Sequence, residues 1–270
     1  VYLSYAHAGP EGTTTRVMRG RLDGLAMSDT EVILDAKALS GGSGHFGSRL
    51  AFGADGMLYV TVGERSDAEP RVQAQDLQSG LGKIFRISQT GEALEGNPFI
   101  GQNGAQPEIW SLGHRNLQSA TIDGQGRLWT VEHGPKGGDE LNLPEAGKNY
   151  GWPEVTYGVE YSGEKVGEGV TQMADTEQPV YYWDPVIAPS GMAYYDADAI
   201  PEWKGAFLVG GLVSQGIVVL HMENDRVKHE ERVALDARIR DVKVGPDGAV
   251  YAVTEQRGGG NSTIVKLTKG

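Results

Sequence analysis

The sequence of 270 residues contains no cysteine and no long apolar run. Without thiols, neither disulfides nor thiolate metal sites can form, and this absence is compatible with the periplasm as well as the cytoplasm. No segment approaches the roughly 20 apolar residues that a membrane helix needs, so we expect no insertion into a membrane. The chain opens directly on the strand-like "VYLSYA", and we expect that any signal peptide has been removed.

Positive charge is scarce. The chain has 24 basic and 36 acidic residues, which gives a formal net charge of −12. A field of this sign repels the phosphates of nucleic acids and anionic lipid surfaces, so we expect neither as a partner. The acidic excess usually serves solubility, although the adjacent carboxylates of Asp139 and Glu140 could hold a divalent cation.

Glycine is abundant, with 40 residues spread along the chain, and one phrase recurs. It combines an alternating strand, a turn containing glycine and a strand that begins with an aliphatic and an aromatic residue. This pattern predicts β-hairpins. The three clear copies are "RLAFGADGMLYVTVGE" (49–64), "LQSATIDGQGRLWTVE" (117–132) and "RDVKVGPDGAVYAVTE" (240–255), and a looser copy runs from "GMAYY" to "GAFLVGGL" (191–212).

Further strands are expected at "GKIFRIS", "GIVVLHM" and "STIVKLT", and at "TRVMRGRL" and "EVILDA" near the start. A hairpin with one or two outer strands, repeated at intervals of tens of residues, is typical of a β-propeller blade. A β-sandwich also has many short strands, but its strands do not normally restart one phrase at such intervals. The pattern therefore favours an all-β propeller, and convincing helix patterns are absent.

Polar residues just before the repeated hairpins are candidates for a site, since propellers usually bind ligands on loops at one end of the channel. His45 follows a glycine-rich stretch and suits a general base, although from spacing alone a hydrogen-bonded turn histidine is the favoured interpretation. His114, Arg115 and Asn116 occupy the corresponding position before the next hairpin. Arginine and asparagine can grip a carboxylate or polarise a carbonyl, or simply bond loop carbonyls.

Arg238 and Arg240 precede the last hairpin, and strand alternation sends both side chains to one face. Two guanidiniums on one face repel each other unless an anion lies between them. The pair therefore suggests a polyanionic organic ligand, with Asp236 and Asp241 as the alternative source of neutralising charge.

The segment "EHGPKGGDELNLPEAGKNYGWP" (132–153) is polar and rich in turns. Asp139 and Glu140 offer carboxylate oxygens, and the Gly134 and Pro135 region offers backbone carbonyls in an irregular loop. Calcium takes six to eight oxygen ligands, so the segment suits a calcium site. The alternative is a solvated acidic turn, and zinc is improbable without a His or Cys cluster.

At these residues the sequence resembles the glucose/sorbosone dehydrogenase family, in particular the soluble aldose sugar dehydrogenases that use pyrroloquinoline quinone (PQQ). The matching phrases occur in family order and span nearly the whole chain. They are "HFGSRLAFGADGMLYVTVGE", "AQDLQSGLGKIFRI", "LGHRNLQ", "EHGPKGGDELNL", "GKNYGWP", "APSGM" and "RIRDVKVGPDG". The resemblance implies a six-bladed propeller with PQQ lying over the channel mouth.

By this resemblance, His45 takes the proton from the C1 hydroxyl of an aldose while hydride passes to the quinone, and the product is a lactone. Arg115 polarises the quinone oxygen that gains charge. The remaining roles implied are cofactor binding by Gln75, Asn116, Tyr181, Arg238 and Arg240, a calcium held by the carbonyls of Gly134 and Pro135, and a second, structural calcium at Asp139, Glu140 and the Tyr150 carbonyl.

The sequence departs from the family pattern at several positions. Val213 stands where relatives carry a lysine for a cofactor carboxylate, and Glu64 stands where they carry aspartate. A family aromatic position aligns with either Trp183 or Asp184. Relatives also have a first blade ahead of "VYLSYA", so we expect a single propeller domain over 1–270 with about five blades, and a possible homodimer through the uncovered edge.

The resemblance thus implies a PQQ-dependent oxidoreductase in the periplasm or outside the cell, with an aldose as substrate and an unidentified electron acceptor. The alternative is a non-catalytic calcium-binding propeller that serves as a sugar-binding or interaction module. A calcium-dependent lactonase propeller would share the fold and the metal, but it would need acidic ligands that converge on the central channel.

Overall fold

The computed structural model describes residues 1–10, 12–37 and 42–269. Their regular structure is almost entirely β-strand, as the sequence predicts. The strands are β1 (Tyr2–Gly9), β2 (Gly12–Asp23), β3 (Ala26–Asp35), β4 (Leu50–Phe52), β5 (Leu58–Val62), β6 (Lys83–Ile87), β7 (Ile109–Leu112), β8 (Leu117–Ile122), β9 (Leu128–Glu132), β10 (Asp139–Asn142), β11 (Tyr181–Trp183), β12 (Pro189–Tyr194), β13 (Phe207–Gly211), β14 (Gly216–Glu223), β15 (Arg226–Ala234), β16 (Arg238–Val244), β17 (Val250–Glu255) and β18 (Ile264–Leu267).

Helical structure is limited to one four-residue helix, α1 (Ala68–Arg71), and the 3-10 turns Val72–Gln75 and Pro201–Trp203 among the described residues. No helix in this part of the chain is long and apolar enough to cross a membrane.

The strands form five antiparallel sheets within the described residues. In hydrogen-bonded order, the sheets are β1-β2-β3, β4-β5-β6-β7, β11-β10-β9-β8, β12-β13-β14-β15 and β16-β17-β18. Consecutive strands are neighbours within every sheet, which is the meander expected of propeller blades.

The three repeated phrases form the predicted hairpins β4-β5, β8-β9 and β16-β17. Their turns share one chemistry, because an aspartate side chain accepts a backbone N–H two residues further on and a glycine adopts positive φ. The donor–acceptor pairs are Met57 to Asp55, Gln125 to Asp123 and Ala249 to Asp247, and the glycines are Gly56, Gly126 and Gly248. The Asp-Gly signal in the sequence therefore marks real turns.

Backbone contacts divide the chain into two compact units, and the single domain over 1–270 stays a prediction. The first unit comprises Val1–Leu117, Pro144–Thr156 and Val166–Glu177. Its core joins the sheets β1-β2-β3 and β4-β5-β6-β7 through fully buried side chains such as Val17, Val60 and Phe85. Shared apolar faces of this kind stabilise neighbouring blades.

The second unit comprises Gln118–Leu143, Tyr157–Lys165 and Gln178–Gly270. One buried cluster, which includes Trp129, Leu141 and Phe207, joins the sheet of β8 to β11 with that of β12 to β15. A second cluster around Leu208 and Val242 joins the sheets β12 to β15 and β16 to β18.

Part of the segment predicted as an irregular loop is a strand. Asp139 and Glu140 lie in β10, and Asp139 is only 1% exposed, so the alternative of a solvated acidic turn is wrong. Four-residue strands such as β10 are too short to show alternation. The nine-residue β15 also escapes a sequence prediction, because its charged residues mask the pattern at a sheet edge.

Candidate functional site

The predicted base, His45, contacts a buried carboxylate in the first unit. Its Nδ1 lies 2.5 Å from Oε1 of Glu64, whose side chain is fully buried, while the imidazole keeps 16% exposure. The other oxygen of Glu64 accepts the Ser66 backbone N–H at 3.0 Å. A carboxylate on Nδ1 fixes the ring and leaves Nε2 as the nitrogen for proton transfer.

The backbone around His45 is held by close contacts. His45 has a φ of 48°, and its carbonyl accepts a hydrogen bond from Arg65 Nη1 at 2.8 Å. Burial lowers the pKa of Arg65 to about 10, against the opposing effect of the Glu64 charge. A Cβ at Gly63 would lie 2.2 Å from the His45 carbonyl oxygen, so glycine is required there for the close approach.

Arg115 and Asn116 are nearly buried and belong to the same neighbourhood. The Asn116 Oδ1 accepts the Gly47 backbone N–H at 3.3 Å, and the Arg115 carbonyl accepts that of Glu64 at 3.0 Å. The Arg115 guanidinium carbon lies 5.1 Å from the centre of the Trp152 ring. The structure therefore brings Arg115 and Asn116 next to the segments that carry His45 and Glu64.

His114, by contrast, is turned into the core. It is fully buried, its Nε2 lies 2.9 Å from Ser111 Oγ, and its ring stacks on Tyr150 with centres 4.8 Å apart. Such contacts are typical of a structural histidine.

Gln75 ends the 3-10 turn after α1, and its amide is largely occupied. Its Nε2 donates to Asn149 Oδ1 at 3.0 Å and to the Trp152 carbonyl at 2.8 Å, while its Oε1 accepts from Asn149 Nδ2 at 2.7 Å. Only one lone pair of Oε1 remains for a ligand. These contacts give Gln75 a structural task in addition to the predicted role in cofactor binding.

Lys83 is a charged residue in the core of the first unit that the sequence does not reveal. It is fully buried, and Nζ donates to the carbonyls of Gln73, Ala74 and Leu81 at 2.9, 2.9 and 2.7 Å. Two of these carbonyls belong to the turn that ends at Gln75. Burial lowers the pKa of Lys83 to about 7, although the charge of Asp76 opposes this shift.

In the second unit, Asp139 organises the predicted calcium loop. Its Oδ1 accepts the Gly134 backbone N–H at 2.9 Å, and its Oδ2 accepts those of Ile187 and Ala188 at 2.9 and 2.8 Å. A Cβ at Gly134 would lie 2.2 Å from the Gly137 carbonyl oxygen, so the loop is packed too tightly for another residue. Three backbone donors thus account for most of the hydrogen-bonding capacity of Asp139.

A carboxylate pair lies beside Asp139. Glu132 and Glu140 are partners across β9 and β10, and Asn142 Nδ2 donates to both, at 3.0 and 3.1 Å. Burial, and then the charge of Glu132, raise the pKa of Glu140 to about 8. The Asn142 Oδ1 is buried without a hydrogen-bond partner among the described residues. Two neighbouring carboxyls and an amide oxygen are hard oxygen ligands, the type that calcium prefers.

The side chains of the described residues do not form a complete metal site by themselves. No group of three or more His, Cys, Asp or Glu side chains that could hold a metal ion is found among them. Tyr150, whose carbonyl is the third predicted ligand of the structural calcium, belongs to the first unit, whereas Asp139 and Glu140 belong to the second. Further calcium ligands would have to be carbonyls or water.

Arg238 and Arg240 share one carboxylate. Arg238 Nε and Nη2 donate to Oε1 of Glu255 at 3.1 and 3.0 Å, and Arg240 Nε donates to Oε2 at 2.6 Å. Burial alone would raise the pKa of Glu255, but hydrogen bonds from Arg240 and Arg238 outweigh it and lower the pKa. The alternation correctly placed both guanidiniums on one face, and Glu255, which the sequence analysis did not suggest, is an anion that both of them share.

Tyr181 is half-buried at the start of β11, with its ring 5.2 Å from that of Trp183. Burial, and then the charge of Glu230, raise the pKa of Tyr181. Trp183 lies in the core and its Nε1 donates to Glu230 at 2.8 Å, whereas Asp184 is exposed. Val213, which stands where relatives carry a lysine, is 54% exposed and carries no charge.

The sequence flagged the positions of Glu64 and Trp152 without revealing their roles. Glu64 stood out only as a departure from the family aspartate, although an acid at the end of an inner strand can reach a histidine just before that hairpin. Trp152 lies in the polar "GKNYGWP" phrase, and an aromatic residue in so polar a segment was the one feature that could have marked it as a contact for a functional side chain.

The comparison with protein families agrees with the resemblance in the sequence. The glucose/sorbosone dehydrogenase model matches residues 1–266. Aldose sugar dehydrogenase YliI of Escherichia coli is 42% identical, over 96% of this chain and 71% of that protein. The uncharacterized protein slr1608 of Synechocystis is 41% identical, over 96% of this chain and 65% of that protein. The chain thus spans about two thirds of the length of these relatives.

Solved structures show the same fold. The soluble aldose sugar dehydrogenase of Escherichia coli in the apo-form aligns with a TM-score of 0.91 at 38% identity, over 98% of this chain and 77% of that one. The PQQ-bound aldose sugar dehydrogenase of Streptomyces coelicolor aligns with a TM-score of 0.75 at 27% identity, over 99% and 75%. The fold is all-β and of the quinoprotein glucose dehydrogenase propeller type, and the chain belongs to the glucose/sorbosone dehydrogenase family.

Proposed function

We propose that the chain is a PQQ-dependent aldose dehydrogenase that oxidises the C1 hydroxyl of a sugar to a lactone, with calcium as cofactor anchor. The observation that carries the proposal is the contact of His45 with the fully buried Glu64. The names of the Escherichia coli and Streptomyces relatives support the sugar substrate, and the second supports PQQ.

His45 Nε2 accepts the proton of the C1 hydroxyl in this proposal. As the proton arrives, the imidazole gains charge, and the anionic Glu64 on Nδ1 stabilises that charge at a fixed distance. Bound PQQ would supply the electrophilic carbon that accepts the hydride. Arg115 is held beside Trp152 in a nearly buried position, where a guanidinium stabilises developing negative charge more strongly than in water.

The cofactor would be held by Asn116, Gln75, Tyr181, Arg238 and Arg240. Because Arg238 and Arg240 share the single carboxylate of Glu255, the three side chains keep one net positive charge for an anionic ligand. The carbonyls of Gly134 and Pro135 would bind one calcium. Asp139, Glu140 and the Tyr150 carbonyl would bind a second one, which would offset the charge of the Glu132 and Glu140 pair.

The test is a titration of the calcium-loaded chain with PQQ, followed by absorbance on addition of glucose. Bleaching of the quinone spectrum is expected for the wild type and should be lost in His45→Ala. The matched control is His221→Ala, because His221 also faces a glutamate, Glu231, at 3.3 Å but is more exposed. Bleaching that persists in His45→Ala would refute the role of this residue.

A non-catalytic calcium-binding propeller is the second candidate. Three observations favour it: Val213 brings no charge, the amide of Gln75 is largely occupied, and Arg238 and Arg240 already share Glu255. This candidate predicts calcium binding without PQQ binding at high micromolar quinone, with the fold intact by circular dichroism.

Location in the periplasm or outside the cell belongs to the same proposal, as does a homodimer. A single monomeric boundary in sedimentation at high protein concentration would contradict the dimer.

The electron acceptor is the partner that the family resemblance leaves open.

A further inference from the structure

Two histidines face each other on the outer hairpin of a sheet in the second unit. His221 lies in β14 and His229 in β15, and they are direct partners in the antiparallel pairing. Residues directly opposite each other in such a pair lie on the same face of the sheet, with Cβ atoms about 4.5–5.5 Å apart. The centres of the two imidazole rings are 5.6 Å apart, and the ring planes are inclined by 26°. The backbone pairing thus holds two imidazoles side by side.

The spacing of these rings suits one shared metal ion. A histidine nitrogen binds zinc at about 2.0–2.1 Å, so two imidazoles on one ion have ring centres about 5–6 Å apart. The observed separation of 5.6 Å falls in this range, and side-chain rotation can turn a nitrogen of each ring toward the ion. The His221 side chain keeps 27% exposure and His229 is exposed, so an ion with its water ligands can enter.

Glu231 contacts the first of these rings. It follows His229 by two positions in β15 and therefore lies on the same face. Its Oε2 lies 3.3 Å from Nε2 of His221 and accepts a hydrogen bond from Nε1 of the buried Trp203, also at 3.3 Å. When Nε2 donates to a carboxylate, the lone pair of the ring is on Nδ1. A carboxylate that orients a histidine in this way is typical of metal sites.

The second ring has no competing hydrogen bond. In the part of the chain that the structure describes, the His229 side chain contacts the ring of His221 and makes no hydrogen bond. Either of its nitrogens can therefore bind an ion.

The ligand types restrict the choice of ion. Imidazole suits copper, nickel and zinc, whereas calcium prefers oxygen ligands. Because the described ranges hold no group of three His, Cys, Asp or Glu side chains fit for a metal, the ion would have two protein ligands and water at its other positions. The net charge of −12 attracts cations in general. Among divalent ions of the first transition row, copper binds such nitrogen ligands most tightly.

We propose that His221 and His229 bind one divalent transition metal ion, and that Glu231 orients His221. The site uses none of the residues assigned to the cofactor or to calcium, and it does not depend on the proposed function. β15 is the last strand of its sheet, so the ion joins an edge strand to its neighbour. Only the folded chain presents both rings together, and the bound ion therefore stabilises the fold.

The first test is isothermal titration calorimetry of the chelator-treated chain with copper(II) sulfate, which is expected to show a saturable site. Glu231→Gln should weaken binding by at least about tenfold, the loss typical of a residue that orients a metal ligand. His221→Ala and His229→Ala should each weaken it at least as much, because they remove a ligand. The matched control is His7→Ala, since His7 lies on β1 beside the ring of Tyr5, and it should bind as the wild type does.

Equal copper binding by the wild type and both histidine variants would overturn the proposal, as would the absence of a saturable site. Loss of binding in only one histidine variant would contradict an ion shared by both rings. Calcium is the competing ion. If calcium displaces copper, the ligands are oxygens and the proposal is wrong.

Thermal unfolding followed by circular dichroism provides a second measurement. Zinc should raise the melting temperature of the wild type and of His7→Ala, and it should leave that of His229→Ala unchanged. Without metal, His229→Ala should melt as the wild type does, because His229 is exposed, and this result would show that the variant folds. An equal effect of zinc on all three proteins would refute the site.

Discussion

The carboxylate of Glu64 has two partners, His45 Nδ1 at 2.5 Å and the Ser66 backbone N–H at 3.0 Å. Glu64→Gln keeps the size of the side chain but removes the charge that stabilises a protonated imidazole. We expect turnover of aldose by the PQQ-loaded chain to fall about 100-fold or more, the usual scale of general base catalysis. Steady-state kinetics with glucose as substrate measures the effect.

The matched control is Glu231→Gln, because Glu231 faces His221 in the same type of pair but on the surface. Turnover should stay within about twofold of the wild type, as for most surface substitutions. A comparable loss in both variants would indicate a general effect on folding and not a role for Glu64.

Lys83 makes stability depend on pH. Its folded-state pKa of about 7 lies below the ordinary lysine value of 10.5, so between these values the unfolded chain binds more protons than the folded chain. The contribution of Lys83 to stability is therefore smallest below pH 7 and rises as the pH approaches 10.5. We expect the melting temperature of the wild type, relative to Lys83→Met, to increase from pH 7 to pH 9.

Comparison with the variant isolates Lys83, because other titrating groups contribute equally to both proteins. Lys83→Met also leaves the carbonyls of Gln73, Ala74 and Leu81 without their shared donor, so it should be destabilised at every pH. A difference in melting temperature that stays constant from pH 7 to pH 9 would show that Lys83 keeps its proton when buried.

At the scale of elements, Gly63 follows strand β5 and packs closely against the backbone of His45. Gly63→Ala would push a methyl group to within 2.2 Å of the His45 carbonyl oxygen and 3.1 Å of Asn116 Oδ1. We expect a loss of about 1–3 kcal/mol in the free energy of unfolding, typical of overpacking, together with reduced turnover. Urea denaturation measures the first effect.

Gly96→Ala serves as control for this substitution, since an added Cβ would meet nothing closer than 3.9 Å. Its stability should match that of the wild type or exceed it slightly, because alanine restricts the unfolded chain. Equal losses in the two variants would mean that the close approach at Gly63 is not what limits stability.

The pairing of β9 with β10 brings Glu132 and Glu140 together and should couple stability to calcium. A bound cation offsets their repulsion, and a ligand at 100 times its dissociation constant stabilises the folded state by about 2.7 kcal/mol. We expect the melting temperature to rise with calcium and to fall on chelation. Thermal unfolding followed by circular dichroism measures both.

Glu140→Gln removes one of the two neighbouring carboxyls, so we expect its melting temperature to depend less on calcium. Without calcium it should melt higher than the wild type, since burial and the charge of Glu132 disfavour the Glu140 carboxylate. Calcium should raise its melting temperature by less than it raises that of the wild type. Glu223→Gln, at an exposed ion pair with Lys228, is the control and should respond to calcium as the wild type does. Identical responses of all three proteins would contradict calcium binding at β10.

At the scale of the whole molecule, the repeated phrase predicted the architecture well. Its hairpins appear as β4-β5, β8-β9 and β16-β17, because period-2 alternation and Asp-Gly turns are local signals that each hairpin satisfies by itself. The short strands β10 and β11 escaped prediction, since their existence depends on pairing with strands already in place.

The candidate site was predictable in its residue types and not in its partners. His45, Arg115 and Asn116 stood out by their equivalent positions before hairpins, and the structure brings their segments together. Glu255 was missed as the partner of Arg238 and Arg240, because the nearer Asp236 and Asp241 offered the same charge. Nearness in sequence is a poor guide where a facing strand supplies the contact.

By itself, then, the sequence determined the all-β class, the positions of the main turns and the family, because these follow from periodicity, turn chemistry and ordered phrases. Only the tertiary structure decided that Glu64 contacts His45 across 19 positions of chain, and that Lys83 is buried under three carbonyls. Alternation fixes the face on which a side chain lies, but the path and register of the backbone fix what it meets there.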